Sequence, residues 1–231
     1  MASTPARPRL LDLFCCSGLG AEGYAAAGFD VIGVDIEDQP NYPFGFQMMD
    51  ALLYVEQVAF VRHTFDAIHA SPPCQGYTDL QKQNKRMYPR LIGPVRELLA
   101  RTGLPYVIEN VEGAPLDHPT LLCGTMLPGL RVIRHRLFET NWPLTAPEHG
   151  PHPLVFTHDK RKAHYGRLDQ DVSFVQVTGG GNCTIANARA AMGVEGRTKH
   201  ELNEGIPPAY TEHIGTELMA HIEARRTTDA A

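Results

Sequence analysis

Short runs of apolar and β-branched residues recur along the first half of the chain, with helix-like segments between them. The runs cover residues 10–14, 31–35, 65–70 and 106–109. Strands that alternate with helices are typical of βαβ units, in which a parallel sheet is covered by helices on both faces. The pattern therefore predicts an α/β fold.

Four further segments have the apolar spacing of helices. They cover residues 21–27, 51–61, 90–101 and 211–225. Pro94 weakens the third, because proline lacks a backbone N–H and clashes with the preceding turn. In the last, Ile214, Leu218 and Ile222 lie four residues apart, which predicts one apolar stripe on a helix that docks against the core.

The segment 141–200 breaks the alternation. It has several early prolines, a strand-like run at 172–177 and three consecutive glycines at 179–181. These features are typical of loops, so we predict a small inserted lobe here, between a main domain over 1–140 and a C-terminal segment over 201–231 that packs back on it. The lobe also has four histidines, His149, His152, His158 and His164. No Cys/His spacing of the kind that binds zinc accompanies them, and we expect no metal.

Length and composition narrow the class of protein without indicating its chemistry. A chain of 231 residues can form one well-filled core and a small lobe beside it. With 43% hydrophobic and 20% charged residues, it fits a soluble globular protein better than a disordered, fibrous or membrane one. The sequence has no long apolar segment and no signal-peptide core, so we expect a cytoplasmic protein without membrane contact.

The five cysteines are odd in number, scattered and without a Cys-x-x-Cys pair, which predicts free thiols. The net charge of −5 argues mildly against nucleic-acid binding, because phosphate contacts require Lys and Arg. Basic residues are nevertheless in excess at 81–101 and 131–167. These stretches either form one anion-facing surface or are ordinary solvated faces.

A glycine-rich loop follows the first strand. Gly18, Gly20 and Gly23 form the pattern Gly-x-Gly-x-x-Gly at the start of a helix, and Asp35 ends the next strand. Such glycines let the backbone turn tightly and approach a ligand, while the acidic residue can bind a ribose. The loop indicates an adenosine-containing cofactor, which could be a nicotinamide nucleotide or S-adenosylmethionine.

Two further motifs lie where apolar strands end. Cys74 belongs to the run Ser-Pro-Pro-Cys-Gln-Gly, which follows the predicted strand 65–70. Glu109 ends the predicted strand 106–109 and begins the run Glu-Asn-Val. In a parallel sheet both strand ends face the same edge, where α/β proteins bind ligands. The prolines fix the approach to the thiol, and partial burial of the carboxyl raises its pKa towards that of a general acid.

A fourth motif is Arg134-His135-Arg136, in an apolar run over 132–138. Alternation along a strand would put both arginines on one face, where they could reach a phosphate or a base carbonyl. An exposed strand edge is the alternative interpretation.

These four motifs, in this order, resemble the DNA (cytosine-5-)-methyltransferase family over nearly the whole chain. The resemblance implies a Rossmann-like methyltransferase fold with S-adenosylmethionine as cofactor, and an insert at 141–200 in the place of the target-recognition region. It also implies that Cys74 is the nucleophile, that Glu109 contacts nitrogen 3 of the ring, and that Arg134 and Arg136 complete the catalytic set. Positions implied to contact the cofactor are Phe14, Gly18, Leu19, Gly20, Asp35, Ile36, Asp50, Ala51, Pro73 and Glu204.

The chain departs from the family pattern at two positions. Glu204 takes the place of an Asn in the last motif, and Val132 takes that of a common Gln. The insert is also short for the family. About 60 residues present few base-reading side chains, which predicts a short or permissive target.

The expected reaction is methylation of carbon 5 of cytosine in DNA, through a covalent Cys74 adduct with the base flipped out of the helix. The same chemistry on RNA or a free cytosine nucleotide is an alternative, favoured by the short insert and the negative charge. Two other hypotheses for the function remain: a cofactor-binding regulator without catalysis and a nicotinamide-dependent dehydrogenase. We expect a monomer.

Overall fold

The computed structural model describes residues 6–78, 87–152, 155–156, 174–177 and 183–229. The strands in these ranges are β1 (Arg9–Leu13), β2 (Asp30–Asp35), β3 (Gly45–Met48), β4 (Ala67–Ala70), β5 (Tyr106–Asn110), β6 (Thr120–Leu122), β7 (Arg136–Thr140), β8 (Val155–Phe156) and β9 (Phe174–Val175). The helices are α1 (Leu19–Ala26), α2 (Ala51–Glu56), α3 (Val58–Thr64), α4 (Ile92–Thr102), α5 (Ile185–Met192), α6 (Lys199–Glu204) and α7 (Pro208–Asp229).

Seven strands form one sheet in the order β3-β2-β1-β4-β5-β7-β6. The pairs from β3 to β5 are parallel, and β7 runs antiparallel to both of its neighbours. The predicted α/β fold is therefore confirmed. The strand order reverses between β1 and β4, and the crevice at the carboxyl ends of such a pair is where open α/β sheets bind ligands.

Helices cover both faces of this sheet. One apolar cluster includes residues of α1 and α7, and a second includes residues of α2, α3 and α4. All five residues of β5 and all four of β4 are buried, as expected for central strands covered on both sides.

Helix α7 packs closely along α1. A side chain at Gly23 would place its Cβ 2.0 Å from the Pro208 carbonyl oxygen, so only glycine permits this crossing. The predicted stripe of Ile214, Leu218 and Ile222 is confirmed, since all three are at most 5% exposed. The C-terminal segment thus lies on the glycine-loop side of the sheet.

Three local predictions differ from the structure. The helix predicted over 51–61 is divided into α2 and α3, because Gln57 has a non-helical ψ of 50°. Pro94 does not weaken α4, because the helix begins at Ile92 and the proline lies in its first turn, where backbone N–H groups have no intrahelical acceptor. The strand predicted over 132–138 begins only at Arg136.

The described parts of segment 141–200 contact the main sheet region. The backbone N–H of Ile133 donates to the Val175 carbonyl at 2.9 Å, which joins β9 to the chain just before β7. Helix α5 packs against β9 and contributes buried residues to the α1/α7 cluster. His158, His164, residues 179–181 and the basic residues at 82–86 lie outside the described residues. The division into domains stays a prediction.

None of the helices in the described ranges is both long and apolar enough to cross a membrane.

Candidate active site

Cys74 and Glu109 lie at the same edge of the sheet. Cys74 immediately precedes a short 3-10 helix (Gln75–Tyr77) in the loop after β4, and Glu109 is the fourth residue of β5. The two strands are adjacent and parallel, with Ala70 opposite Ile108. Their ends therefore meet, as the motifs predict.

A hydrogen bond between the two motifs holds the cysteine loop in place. The Asn110 side-chain amide donates to the Pro72 carbonyl at 2.8 Å, and both groups are buried. Since Pro72 and Pro73 restrict the backbone before Cys74, the approach of the loop is fixed from both sides. The thiol is half-buried, which leaves it accessible from the crevice.

Charged neighbours determine the ionisation of both groups. Burial raises the pKa of Glu109 above its ordinary value, and Arg136, Ser71 and Arg134 lower it in part. Burial and the Glu109 carboxyl raise the pKa of the Cys74 thiol, against the opposite effect of Arg136 and Arg134. The resting pair is thus a neutral thiol beside a carboxyl that retains its proton to a higher pH than usual.

The two arginines do not act alike. Arg136 Nε lies 2.9 Å from Glu109 Oε1 in an ion pair that is mostly shielded from solvent. Arg134 is 5% exposed and donates to the backbone carbonyls of Val177 and Asn203, at 2.6 and 2.5 Å. The predicted shared face is therefore not observed, because Arg134 precedes β7 and turns towards the C-terminal half of the chain.

Burial lowers the pKa of Arg134 to about 9, with Arg136 adding to the effect. The Tyr210 hydroxyl donates to the Arg134 carbonyl at 2.6 Å. These contacts connect the segment before β7 to α7 and to the residues around α6. Arg134 thereby positions Arg136, its neighbour two residues further on.

A buried chain of polar groups extends from the site to α1, and the sequence gives no sign of it. His69 Nε2 lies 2.8 Å from the Ser71 hydroxyl, and His69 Nδ1 lies 2.9 Å from the Tyr24 hydroxyl. Burial lowers the pKa of His69 to about 3, so the ring is neutral. The Ser71 hydroxyl donates to the Glu109 carboxylate, so its oxygen accepts from His69 Nε2. The neutral ring then accepts at Nδ1 from the Tyr24 hydroxyl. Histidine inside an apolar strand carries no such signal in one sequence.

The glycine loop after β1 has a specialised backbone. Phe14, Cys16 and Gly18 have φ angles of 56°, 45° and 83°. A Cβ at Gly18 would lie 2.8 Å from the Tyr42 ring, so glycine is required both by the angle and by the space. The turn leads into α1, whose first backbone N–H groups, at Leu19 and Gly20, have no intrahelical acceptor.

Asp35 fastens this loop to the end of β2. Its Oδ2 accepts from the Cys16 N–H and its Oδ1 from the Glu37 N–H, both at 3.0 Å. Each oxygen keeps a further lone pair for a ligand hydroxyl. Beside it, Ile36 is 68% exposed and Met49 is 37% exposed, which leaves an apolar rim open to solvent.

The remaining predicted cofactor positions surround the same edge. Asp50 precedes α2, and its Oδ1 accepts from the N–H groups of Leu52 and Leu53 at 2.8 and 3.0 Å. The Ala51 side chain is buried, as is that of Leu19, so both can offer only backbone atoms. Glu204 is exposed at the end of α6. Burial raises the pKa of the Cys16 thiol, and the carboxyls of Asp35 and Glu204 add to the effect, so the Glu204 charge acts on the loop.

Two residues that the sequence analysis did not identify support the glycine loop through hydrogen bonds. Asp12 in β1 is buried and accepts from the Tyr42 hydroxyl at 3.1 Å, and burial raises its pKa to about 7. Arg197 donates to the Ser17 carbonyl at 2.8 Å, across 180 residues of chain. Arg197 comes from the predicted insert, and no local pattern connects it to the loop.

The basic stretches contribute fewer free cations than their composition suggests. Arg96 is bound to Glu139, with Nε 2.6 Å from Oε1, and Arg134 and Arg136 are turned inward. Two of the seven basic residues over 131–167 are therefore unavailable to an anion-facing surface, which stays one of two interpretations of this stretch.

No protein-family model matches the sequence, and no curated protein matches it. Solved structures do match. A candidate DNA modification methyltransferase encoded within an E. coli prophage is 15% identical, with a TM-score of 0.65 over 92% of this chain and 99% of the other. The Entamoeba histolytica methyltransferase EhMeth is 10% identical, with a TM-score of 0.53 over 94% of this chain and 99% of the other.

The S. pombe Dnmt2 methyltransferase is 12% identical, with a TM-score of 0.52 over 94% of this chain and 99% of the other. These identities are too low to transfer an activity, but the three matches span almost the full length of both partners. The chain has the Rossmann-like fold of these methyltransferases.

Proposed function

We propose that this chain is a cytosine carbon-5 methyltransferase that acts on DNA with S-adenosylmethionine. The carrying observation is the thiol of Cys74 beside the buried carboxyl of Glu109, on adjacent strand ends that the Asn110 bond ties together. A nicotinamide-dependent dehydrogenase or a regulator without catalysis would leave this pair without a use.

The thiol supplies the chemistry that cytosine lacks. Carbon 5 is a poor nucleophile, so the Cys74 thiolate adds to carbon 6 and splits a difficult step into easier ones. Glu109 gives its proton to nitrogen 3, which neutralises the electron pair pushed into the ring and forms an enamine. Carbon 5 then takes the methyl group, and the electrons of the broken sulfur–methyl bond stay on the sulfur of the departing S-adenosylhomocysteine. A base removes the proton at carbon 5, the double bond between carbons 5 and 6 re-forms as Cys74 leaves carbon 6 with its electron pair, and nitrogen 3 returns its proton to Glu109.

The raised pKa of Glu109 suits this role, because a protonated carboxyl is needed at the pH where the enzyme works. Arg136 has two effects in the proposal. It orients the Glu109 carboxyl through their ion pair, and its charge lowers the pKa of Cys74. Arg134 adds to the lowering of both pKa values, and its contacts with backbone carbonyls position Arg136.

The residues at the ends of β1, β2 and β3 suit S-adenosylmethionine. The free N–H groups of Leu19 and Gly20 favour a carboxylate, Asp35 has lone pairs for ribose hydroxyls, and the exposed Ile36 offers an apolar surface to a planar base. When bound, this cofactor supplies an electrophilic methyl group. Phe14, Gly18, Asp50, Ala51, Pro73 and Glu204 complete the proposed binding set.

Duplex DNA is the proposed substrate, with the target base flipped out of the helix, because Cys74 cannot reach carbon 6 within a base stack. The likeness to the candidate DNA modification methyltransferase supports this choice. We propose residues 1–140 as the catalytic domain and 141–200 as the target-recognition lobe. The lobe is small, which supports a short or permissive target sequence.

The substrate is tested by parallel assays with labelled S-adenosylmethionine. Duplex DNA, transfer RNA and deoxycytidylate are each incubated with the enzyme and with its Cys74→Ser variant. Methyl transfer to DNA by the wild type, and none by the variant, supports the proposal. Faster transfer to RNA or to the nucleotide would show that DNA is not the substrate. Sequencing of the methylated DNA then gives the target, which we expect to be shorter than six base pairs.

A further inference from the structure

Four potential metal ligands converge at the edge of the sheet that β7 and β6 form. They are Cys123, His135, His149 and His152, and their ligand atoms all lie within 4.8 Å of one another. Cys123 follows β6, His135 precedes β7, and the other two histidines lie in the loop after β7. We define these four residues as the Cys-His cluster.

The spacing of these atoms matches a tetrahedral ion. The three histidine Nε2 atoms lie 3.1, 3.2 and 3.2 Å apart, and Cys123 Sγ lies 3.7 Å from His152 Nε2. With Zn–N bonds of about 2.05 Å and a Zn–S bond of about 2.3 Å, tetrahedral angles place two nitrogens about 3.4 Å apart and nitrogen and sulfur about 3.6 Å apart. These four distances agree with the tetrahedral values to within about 0.3 Å, and Cys123 Sγ lies within 4.8 Å of the ligand atoms of the other two histidines.

Hydrogen bonds alone do not explain this convergence. Each neutral imidazole presents Nε2 either as a donor or as an acceptor. Three nitrogens in mutual contact therefore always include one pair of like kind, two lone pairs or two N–H groups facing each other. A cation at the centre removes the conflict, because all three lone pairs then point at it.

The surroundings of His135 also suit a metal ligand. Its Nδ1 lies 2.9 Å from Glu112 Oε2, so Nδ1 donates to the carboxylate and Nε2 keeps its lone pair. A carboxylate behind a ligating histidine is a common partner in zinc sites. The Cys123 thiolate and the Glu112 carboxylate together balance the two positive charges of Zn²⁺.

We propose that the Cys-His cluster binds one zinc ion with four protein ligands. A closed coordination sphere leaves no position for substrate, so the ion has a structural role. It joins the end of β6, the start of β7 and the loop at 149–152, where the chain enters the inserted segment. His135 lies directly between Arg134 and Arg136, so zinc also fixes the strand that supplies the arginine of the candidate active site.

The test uses protein purified without a polyhistidine tag, because a tag would itself bind zinc. The chain is stripped with a chelator, reloaded with zinc, and analysed for metal content and for affinity by chelator competition. We expect one zinc per chain. In Cys123→Ser and His152→Ala, the affinity should fall on the order of 100-fold or more. The controls Cys183→Ser and His63→Ala, which change residues outside the cluster, should bind as the wild type does.

Cobalt identifies the ligand set independently of stability. With Co²⁺, we expect the intense visible bands of a tetrahedral ion and a sulfur-to-metal charge-transfer band. Cys123→Ser should lose the charge-transfer band, while Cys74→Ser should keep it. If Cys123→Ser does not fold, Glu112→Gln still tests the site. Glu112 is exposed, and its substitution should lower the zinc affinity about 10- to 100-fold.

The proposal is overturned if the wild type binds less than one zinc per chain at micromolar concentration, if it selects a different metal, or if the control variants lose zinc equally. Neither methyl transfer nor its substrate enters these measurements, so the metal site stands or falls apart from the proposed activity.

Discussion

Cys74 and Cys123 both follow a strand of the same sheet, yet their neighbours differ in kind. Cys74 lies half-buried beside a carboxyl and two arginines. Cys123 is fully buried beside imidazole nitrogens, the nearest 3.7 Å from its sulfur. In our proposals, the Cys74 thiol bonds with carbon and the Cys123 thiol with a metal ion. The environment that the fold supplies, and not the residue type, sets the chemistry of each cysteine.

The largest effect should come from removing each of the two thiols in turn. Cys74→Ser removes the nucleophile, so methyl transfer should fall at least about 1,000-fold, while zinc content stays at one per chain. Cys123→Ser should do the reverse, losing zinc while retaining a covalent nucleophile. Radiolabelled methyl transfer and metal analysis on the same preparations measure both. Loss of both properties in both variants would show that the two sites are not separate.

The second prediction concerns the carboxyl beside Cys74. Glu109→Gln retains a hydrogen-bond donor but cannot transfer a proton, so kcat should fall roughly 100- to 1,000-fold. Binding of cofactor, measured by calorimetry, should remain unchanged. Glu97→Gln, an exposed position on α4, serves as control. A kcat within a few-fold of the wild type would remove Glu109 from the mechanism.

The third prediction tests the effect of Arg136 on the pKa values of Cys74 and Glu109. In the proposed mechanism, the active form has a Cys74 thiolate and a protonated Glu109. When Glu109 titrates below Cys74, the population of that form is constant between their two pKa values and falls outside them. The acidic limb of the pH profile therefore reports Glu109 and the alkaline limb reports Cys74.

Arg136 lowers the pKa of both groups. Arg136→Ala should accordingly move both limbs of the kcat profile to higher pH, and Arg136→Lys should restore them in part. The direction of both shifts is the prediction, and the pH dependence of kcat for the three proteins measures it. Limbs that stay in place, or that move in opposite directions, would contradict the assignment.

The last prediction concerns the effect of pH on stability through Asp12, a buried carboxyl that, unlike Glu109, has no arginine among the groups that shift its pKa. The folded-state pKa of Asp12, about 7, exceeds the value of 3.8 expected when it is exposed in the unfolded chain. Stability is therefore fully present below pH 3.8 and is lost as the pH rises to about 7, by at most about 4 kcal/mol. Asp12→Asn should raise the unfolding temperature at pH 8, and by a smaller amount at pH 5, where only part of this stability has been lost.

Thermal unfolding at the two pH values measures this difference. An equal change at pH 5 and pH 8 would show that Asp12 is not buried in its charged form.

Much of the fold and of the active-site edge follows from the sequence. Cys74, Glu109 and Asp35 each lie where an apolar strand ends, and in a parallel sheet those ends meet whatever the details of packing. The stripe on α7 is likewise a local pattern. Such features need only the period of the element and its direction.

Other features depend on contacts that no local pattern encodes. The inward turn of Arg134 depends on carbonyls at Val177 and Asn203, and the support of the glycine loop by Arg197 spans 180 residues. The break at Gln57 leaves the apolar spacing of the helix intact, so it is invisible in the pattern.

The Cys-His cluster shows the same limit. Its ligands are spread over 30 positions without the Cys/His spacing of a zinc motif, which is why the sequence analysis expected no metal. The antiparallel pairing of β6 with β7 is what brings Cys123 and His135 together.

The most direct test of the central claim is to trap the covalent intermediate. Fluorine at carbon 5 replaces the proton that must leave after methylation, so an enzyme bonded to carbon 6 cannot release the base. We expect DNA containing 5-fluorocytosine and S-adenosylmethionine to give a stable protein–DNA adduct, with peptide mass spectrometry placing the base on Cys74. Methylation of ordinary DNA without any adduct, or an adduct on another cysteine, would contradict the account.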